Sequence, residues 1–299
     1  MKILYICLAL FLASNLNARS NPITQQIAAQ NAALKNHPLS QAERRDMIET
    51  IRKLRRVHGN LGSRVIVVNI AAAMLYVYEG GEQLFQSRIV VGDEYSKTPE
   101  WVAVMDSVTF RPPWKVPMSI ARNEIAPEGP GYWAKYGFVP TGKGGFVQKP
   151  GSENALGLVA ISFKNNKYSV LMHDTPYKED FRDDYRAIGH GCTRVEKIVQ
   201  LISYLKGWST GQVRAYMNGY ETKKFPMPGV KVVFIYAKSW VDPDGTLRFF
   251  SGYDGKPADY YEDDDSEEED NGNNYDYKES YHNYAGEREE GRQVVAFAW

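Results

Sequence analysis

Cys192 stands in the stretch AIGHGCTRV (187–195), directly after Gly191 and two residues after His190. A cysteine attacks a carbonyl as its thiolate, so a reactive one needs a base in reach or a positive local field. The chain has five histidines to supply that base. His37 lies in a polar leading segment, His282 in an acidic tail, and His58 at the end of a helical pattern. His173 closes the run KYSVLMH and precedes Asp174-Thr175-Pro176. A strand end beside a loop is well placed to face a cleft. Cys192 as nucleophile with His173 as its base is the general arrangement for covalent acyl transfer. His190, beside the thiol, would orient the turn or contact substrate. Gly189 and Gly191 allow backbone angles and close approaches that side chains forbid, so backbone N–H groups there can face a developing oxyanion. Plainer readings compete: a small buried thiol and two core histidines, or a zinc site from His173, His190 and Cys192, whose separations match no zinc spacing. No metal and no cofactor is expected.

These residues must be positioned by the elements around them. Thr193 and Glu196 stand in capping-box relation, and Val195, Ile198, Val199, Ile202 and Leu205 recur at helical spacing. The pattern predicts a helix capped by Thr193, with Cys192 at its positive end and its pKa lowered. Upstream, RVIVVNI (64–70), AMLYVYE (73–79) and QLFQSRIVVG (83–92) read as strands, with a hairpin turn at Glu79-Gly80-Gly81-Glu82. Further strands are predicted at Val102–Phe110, Leu158–Phe163, Tyr168–His173 and Val230–Tyr236. Strands without regular helical crossovers give a mainly β domain with flanking helices, an α+β arrangement, and not a wound parallel sheet. Ahead of it, Ser40-Gln41-Ala42-Glu43 fits a capping box, with Met47, Ile48, Ile51 and Leu54 on one helical face. Asp242-Pro243-Asp244-Gly245 lacks the later acidic ligand of a calcium loop and reads as a turn. Gly142-Lys143-Gly144-Gly145 lacks the Lys-Ser/Thr ending of a phosphate loop.

At the ends, the 299-residue chain opens on MKILYICLALFLASNLNARS, whose apolar run is too short for a bilayer span and which reads as a signal peptide over 1–18. The expected location is therefore outside the cytoplasm, in a periplasm or cell wall. Cys7 would leave with the leader, so Cys192 would stand alone and no internal disulfide could form. Net charge is formally zero, yet residues 259–292 carry 14 Asp/Glu against 3 Lys/Arg, and the rest carries 33 basic against 22 acidic residues. A basic body suits an anionic polymer, and nucleic acid is a poor fit for an exported chain. The acidic tail is expected to be disordered, with an intramolecular contact to the basic body as one role for it. The division is then a signal peptide (1–18), a helical lead-in (19–60), a catalytic domain (61–258) and an acidic tail (259–299).

His173, fifteen residues, then Gly189-His190-Gly191-Cys192 resembles the signature of the YkuD-type L,D-transpeptidases of bacterial cell walls. VVNIAAAMLYVYEGGEQLFQSRIVVG is similar to the family's opening hairpins, and Lys97-Thr98-Pro99 to the turn that follows them. RPPWKVPMSIARNEI, MHDTP and SWVDPDGTLRF resemble the YcbB-like branch. Three departures stand out: Gly189 replaces a usual Ser/Thr, Arg194 stands where many members have Asn though Arg is usual in the YcbB-like branch, and residues 19–60 are expected to be too short for a separate peptidoglycan-binding domain. The resemblance implies a YkuD-like β-sandwich in which Cys192 attacks the third residue of a peptidoglycan stem peptide, with His173 as base. It releases terminal D-alanine and passes the acyl group to a neighbouring stem. It also implies that Arg194 holds the turn or pairs with a substrate carboxylate, and that Trp114 either walls the donor site or belongs to the core. Alternatives are an L,D-carboxypeptidase, in which water resolves the same acyl-enzyme, and a non-catalytic wall-binding module. A papain-like protease is disfavoured, because there the cysteine precedes its histidine.

Overall fold

The computed structural model describes residues 21–255. Two helices open it, α1 (Pro22–Asn36) and α2 (Gln41–Val57). The capping box at the start of α2 is formed as the sequence predicts: the Ser40 hydroxyl accepts the Glu43 N–H at 3.2 Å, and the Glu43 carboxylate accepts the Ser40 N–H at 2.8 Å. Met47, Ile51 and Leu54 are buried, whereas Ile48 is exposed.

The strands then run β1 (Arg64–Asn69), β2 (Met74–Glu79), β3 (Glu82–Gly92) and β4 (Trp101–Phe110). An insertion follows, containing β5 (Trp114–Lys115), α3 (Ala126–Lys135, broken at Gly129), β6 (Phe138–Pro140) and β7 (Phe146–Gln148). The main sheet resumes with β8 (Val159–Phe163), β9 (Met172–His173), β10 (Ala187–Gly189) and β11 (Thr193–Val195). Two helices, α4 (Ile198–Lys206) and α5 (Thr210–Met217), lead to β12 (Lys223–Pro226) and β13 (Lys231–Ile235). The hairpin β14 (Ser239–Val241) and β15 (Leu247–Phe249) ends the series, with Asp242–Gly245 as its turn and the Gly245 N–H on the Asp242 carbonyl.

The main sheet has ten strands in the order β10-β3-β11-β9-β8-β4-β13-β1-β2, with β12 on β4 and a further β2–β3 pairing that closes the path on β3. The mainly β, α+β expectation therefore holds. Two layers face each other across the largest apolar cluster, where Ile66, Val68 and Leu75 meet Val159, Ile161, Met172 and Val195, and α4 adds Leu201 and Ile202. β1 and β2 are buried on both faces, because α1, α2 and the β14–β15 hairpin cover their outer side through Ile23, Leu54 and Trp240. The buried Gln26 amide serves both backbone groups of Val241, donating to its carbonyl at 2.6 Å and accepting its N–H at 3.2 Å. A polar residue on a core-facing helix is thus satisfied by standing in for a strand neighbour.

Two expectations need correcting. The chain is a strand only at Met172–His173 and not from Tyr168, because Ser169 turns the backbone with φ 57°. No helix begins at Thr193: residues 193–195 form β11, and α4 starts at Ile198 behind Lys197 with no side-chain cap. The Glu196 N–H bonds the Arg88 carbonyl at 3.1 Å, so pairing with β3 displaces the local cap. Among the described residues no helix is long and apolar enough to cross a membrane. The signal peptide expected over 1–18 and the acidic segment from 259 lie outside the described residues.

Candidate active site

β9 and β11 run parallel, with Thr193 opposite Met172 and Arg194 opposite His173. Side chains alternate across a strand, so Met172, Thr193 and Val195 point to one face. Met172 and Val195 join the main core there. Leu171, His173 and Arg194 take the other face, and Leu171 packs on the insertion's own cluster. Cys192 precedes β11 on that second face: the Thr193 N–H bonds the Leu171 carbonyl at 2.9 Å, and the Leu171 N–H donates to the Cys192 Sγ at 3.2 Å. Cys192 is thereby a diagonal neighbour of His173 on the same face of the sheet.

Both reactive groups are buried, Cys192 at 4 % exposure and His173 at 0 %. Burial pushes the thiol pKa up to about 12, against the opposing pull of the Leu171 N–H and the Arg194 charge. The expectation of a thiol pKa lowered by a helix end is overturned, since the thiol sits at the start of a strand under apolar cover. Burial, helped by the Arg194 guanidinium, pushes the imidazole down to about 3, against the carbonyls of Asp174 and Leu156. Thiol and imidazole are therefore neutral together. His173 Nδ1 lies 2.5 Å from the Asp174 carbonyl. A carbonyl only accepts, so Nδ1 carries the proton and Nε2 is the basic nitrogen.

The turn leading into Cys192, the candidate nucleophile, is built from close backbone contacts. Gly191 has φ 100°, a conformation that disfavours any side chain. A Cβ on Gly92, at the end of β3, would lie 2.7 Å from the Gly191 nitrogen and 2.0 Å from the Ser96 carbonyl. At Gly189 a Cβ would stand 3.0 Å from the Val91 carbonyl. A Ser or Thr there would therefore crowd β3, which gives the departure from the usual residue a local packing reason. His190 sits within this turn at 9 % exposure. Among the described residues neither the Gly191 nor the Cys192 N–H donates to a backbone carbonyl, which suits them to an oxyanion.

Arg194 is 7 % exposed and pairs with Asp180 at 2.7 Å. The pair ties β11 to the 179–182 segment. Trp114 is 2 % exposed and lies in the insertion's core with Phe138 and Phe146. That placement supplies the core role of the two open to it. Two further residues matter. Asp174, beside the base, accepts the Leu158 N–H at 3.0 Å and pairs with Lys178. Thr98 bonds the nucleophile turn through its hydroxyl. Asp174-Thr175-Pro176 and Lys97-Thr98-Pro99 were visible as motifs, but their partners lie too far along the chain for spacing to reveal. Among the described residues no three His, Cys, Asp or Glu side chains group as metal ligands.

A closed mixed sheet with a histidine on one strand and a cysteine leading into its parallel neighbour defines the class. The profile of the YkuD L,D-transpeptidase catalytic domain matches residues 63–235, and the chain belongs to that family. A Haemophilus influenzae protein provisionally described as an L,D-transpeptidase is 26 % identical over 217 residues, covering 63 % of this chain and 44 % of its own length. The chain thus spans less than half of that relative. Among solved structures, an L,D-transpeptidase from Mycobacterium smegmatis is 13 % identical, with 58 % of each chain covered and a TM-score of 0.33. L,D-transpeptidase 3 from Mycobacterium tuberculosis is 12 % identical, covering 58 % of this chain and 61 % of that one, also at 0.33.

Proposed function

We propose that this protein is an exported L,D-transpeptidase of the YcbB-like branch, working on peptidoglycan in a periplasm or cell wall. It would join stem peptides through a Cys192 thioester. The observation that carries this reading is the β9–β11 register, which puts Cys192 and the basic nitrogen of His173 on one face of the sheet. Family membership supports the substrate class.

The steps follow from the residues. His173 Nε2 takes the thiol proton as Sγ adds to the carbonyl of the third stem residue. The N–H groups of Gly191 and Cys192 receive the oxyanion. His173 returns the proton to the departing D-alanine amine as the C–N bond breaks, leaving the thioester. An amine on a neighbouring stem then adds to the thioester, gives its proton to His173, and forms the new amide as the thiol is regenerated. No charge separation precedes the attack, since both partners start neutral.

A tetrapeptide muropeptide incubated with the protein should give cross-linked dimers and free D-alanine, and Cys192→Ala should give neither. Tripeptide monomers alone would establish the carboxypeptidase instead. A normal intact mass after carbapenem exposure, with the thiol shown reduced, would leave only a wall-binding module. The proposal includes an intramolecular contact between the acidic segment from 259 and the basic body, tested below by truncation.

A further inference from the structure

Thr98 lies on the turn after β3, is 4 % exposed and sits against the nucleophile turn. Its hydroxyl oxygen accepts the Gly92 N–H at 2.9 Å. The hydroxyl proton is then directed to the Gly191 carbonyl, at 3.0 Å. We propose that Thr98 is a positioning residue for the oxyanion donor: by holding the Gly191 carbonyl it fixes the plane of the Gly191–Cys192 peptide, and with it the direction of the Cys192 N–H.

The reasoning is geometric. In a trans peptide the C=O and the following N–H leave opposite edges of one plane. A carbonyl pinned on the Thr98 side therefore sends the Cys192 N–H to the other side. Gly191 has no side chain with which to anchor itself, and its φ of 100° is a conformation open chiefly to glycine. Such a peptide unit rocks freely unless something outside the turn holds it. Thr98 holds it from 93 residues away in sequence. The two turns are pressed together here, because a Cβ on Gly92 would lie 2.7 Å from the Gly191 nitrogen and 2.8 Å from the Thr98 nitrogen. Catalytic donors work by being aligned beforehand, and this hydroxyl supplies the alignment.

The inference rests on the reading of Cys192 as an acyl-forming nucleophile, and two reactions of the full chain separate the two. A carbapenem is opened when Sγ adds to its lactam carbonyl, the ring C–N bond breaks and the thiol proton passes to the ring nitrogen, through a tetrahedral oxyanion. Iodoacetamide alkylates the same sulfur by displacing iodide from a saturated carbon, and no oxyanion forms. Thr98→Val should slow carbapenem acylation on the order of 10- to 100-fold, with alkylation within about twofold of the parent. Thr98→Ser, which keeps the hydroxyl, should restore acylation to within a few-fold. If Thr98→Val does not fold, Thr98→Ala takes its place in the same comparison. Acylation of the hydroxyl-free variant at the parent rate would overturn the proposal, and so would a matching fall in both reactions, which marks a structural role only. A parent protein that alkylates but forms no carbapenem adduct would overturn the nucleophile assignment itself, a different failure.

Discussion

At the scale of single residues, the site is a neutral pair held dry. The spacing of His173 and Cys192 was legible because His173 ends one short strand and Cys192 leads directly into another. The electrostatics were not legible, since they depend on what covers those strands. Thr193 and Glu196 satisfied a local rule for a helix start, and long-range pairing with β3 and β9 overrode it. His173 gives the clearest test. Its pKa falls from the ordinary 6.5 to about 3 on burial. Between those values the unfolded imidazole binds a proton that the folded one refuses, so this residue makes stability fall as pH drops from about 6.5 toward 3. Thermal midpoints measured from pH 7 to 4 should therefore decline less steeply in His173→Gln than in the parent, and equal slopes would show that the ring is not held neutral. The same variant should slow carbapenem acylation about 10²- to 10⁴-fold through loss of the base.

At the scale of elements, the sheet and the insertion divide the labour. β1 to β4 were readable from apolar strand runs and the Gly80-Gly81 turn, and α2 from its capping box. The insertion between β4 and β8 was not, because its strands are two or three residues long and its helix is broken at Gly129, where φ is 79°. Its apolar cluster nevertheless has its own centre at Trp114, and Leu171 and Tyr177 from the catalytic side pack on it. Trp114→Ala should cost about 3–5 kcal/mol where the insertion unfolds with the rest, as a large core truncation does, read by denaturant unfolding. A variant with parental stability and only a raised KM would return Trp114 to the donor site.

At the scale of the whole molecule, the charge layout is uneven in a way that composition alone conceals. The described body is basic and the segment beyond it strongly acidic. If the two associate, ending the chain at Ala258 should raise transpeptidation at low salt and change it little at high salt, because screening weakens exposed charge contacts. Equal activities at both ionic strengths would reject the association.

β3 carries a consequence in time. Its first half pairs with β2 through a two-residue turn, whereas its last residues pair with β10 and β11, about a hundred positions onward. Nearby pairings close early and distant ones late, since the longer loop must first be gathered in. A refolding chain should regain its hairpins well before it regains reactivity toward a carbapenem. The nucleophile would be among the last parts to mature, arriving only once strands about a hundred residues apart have met.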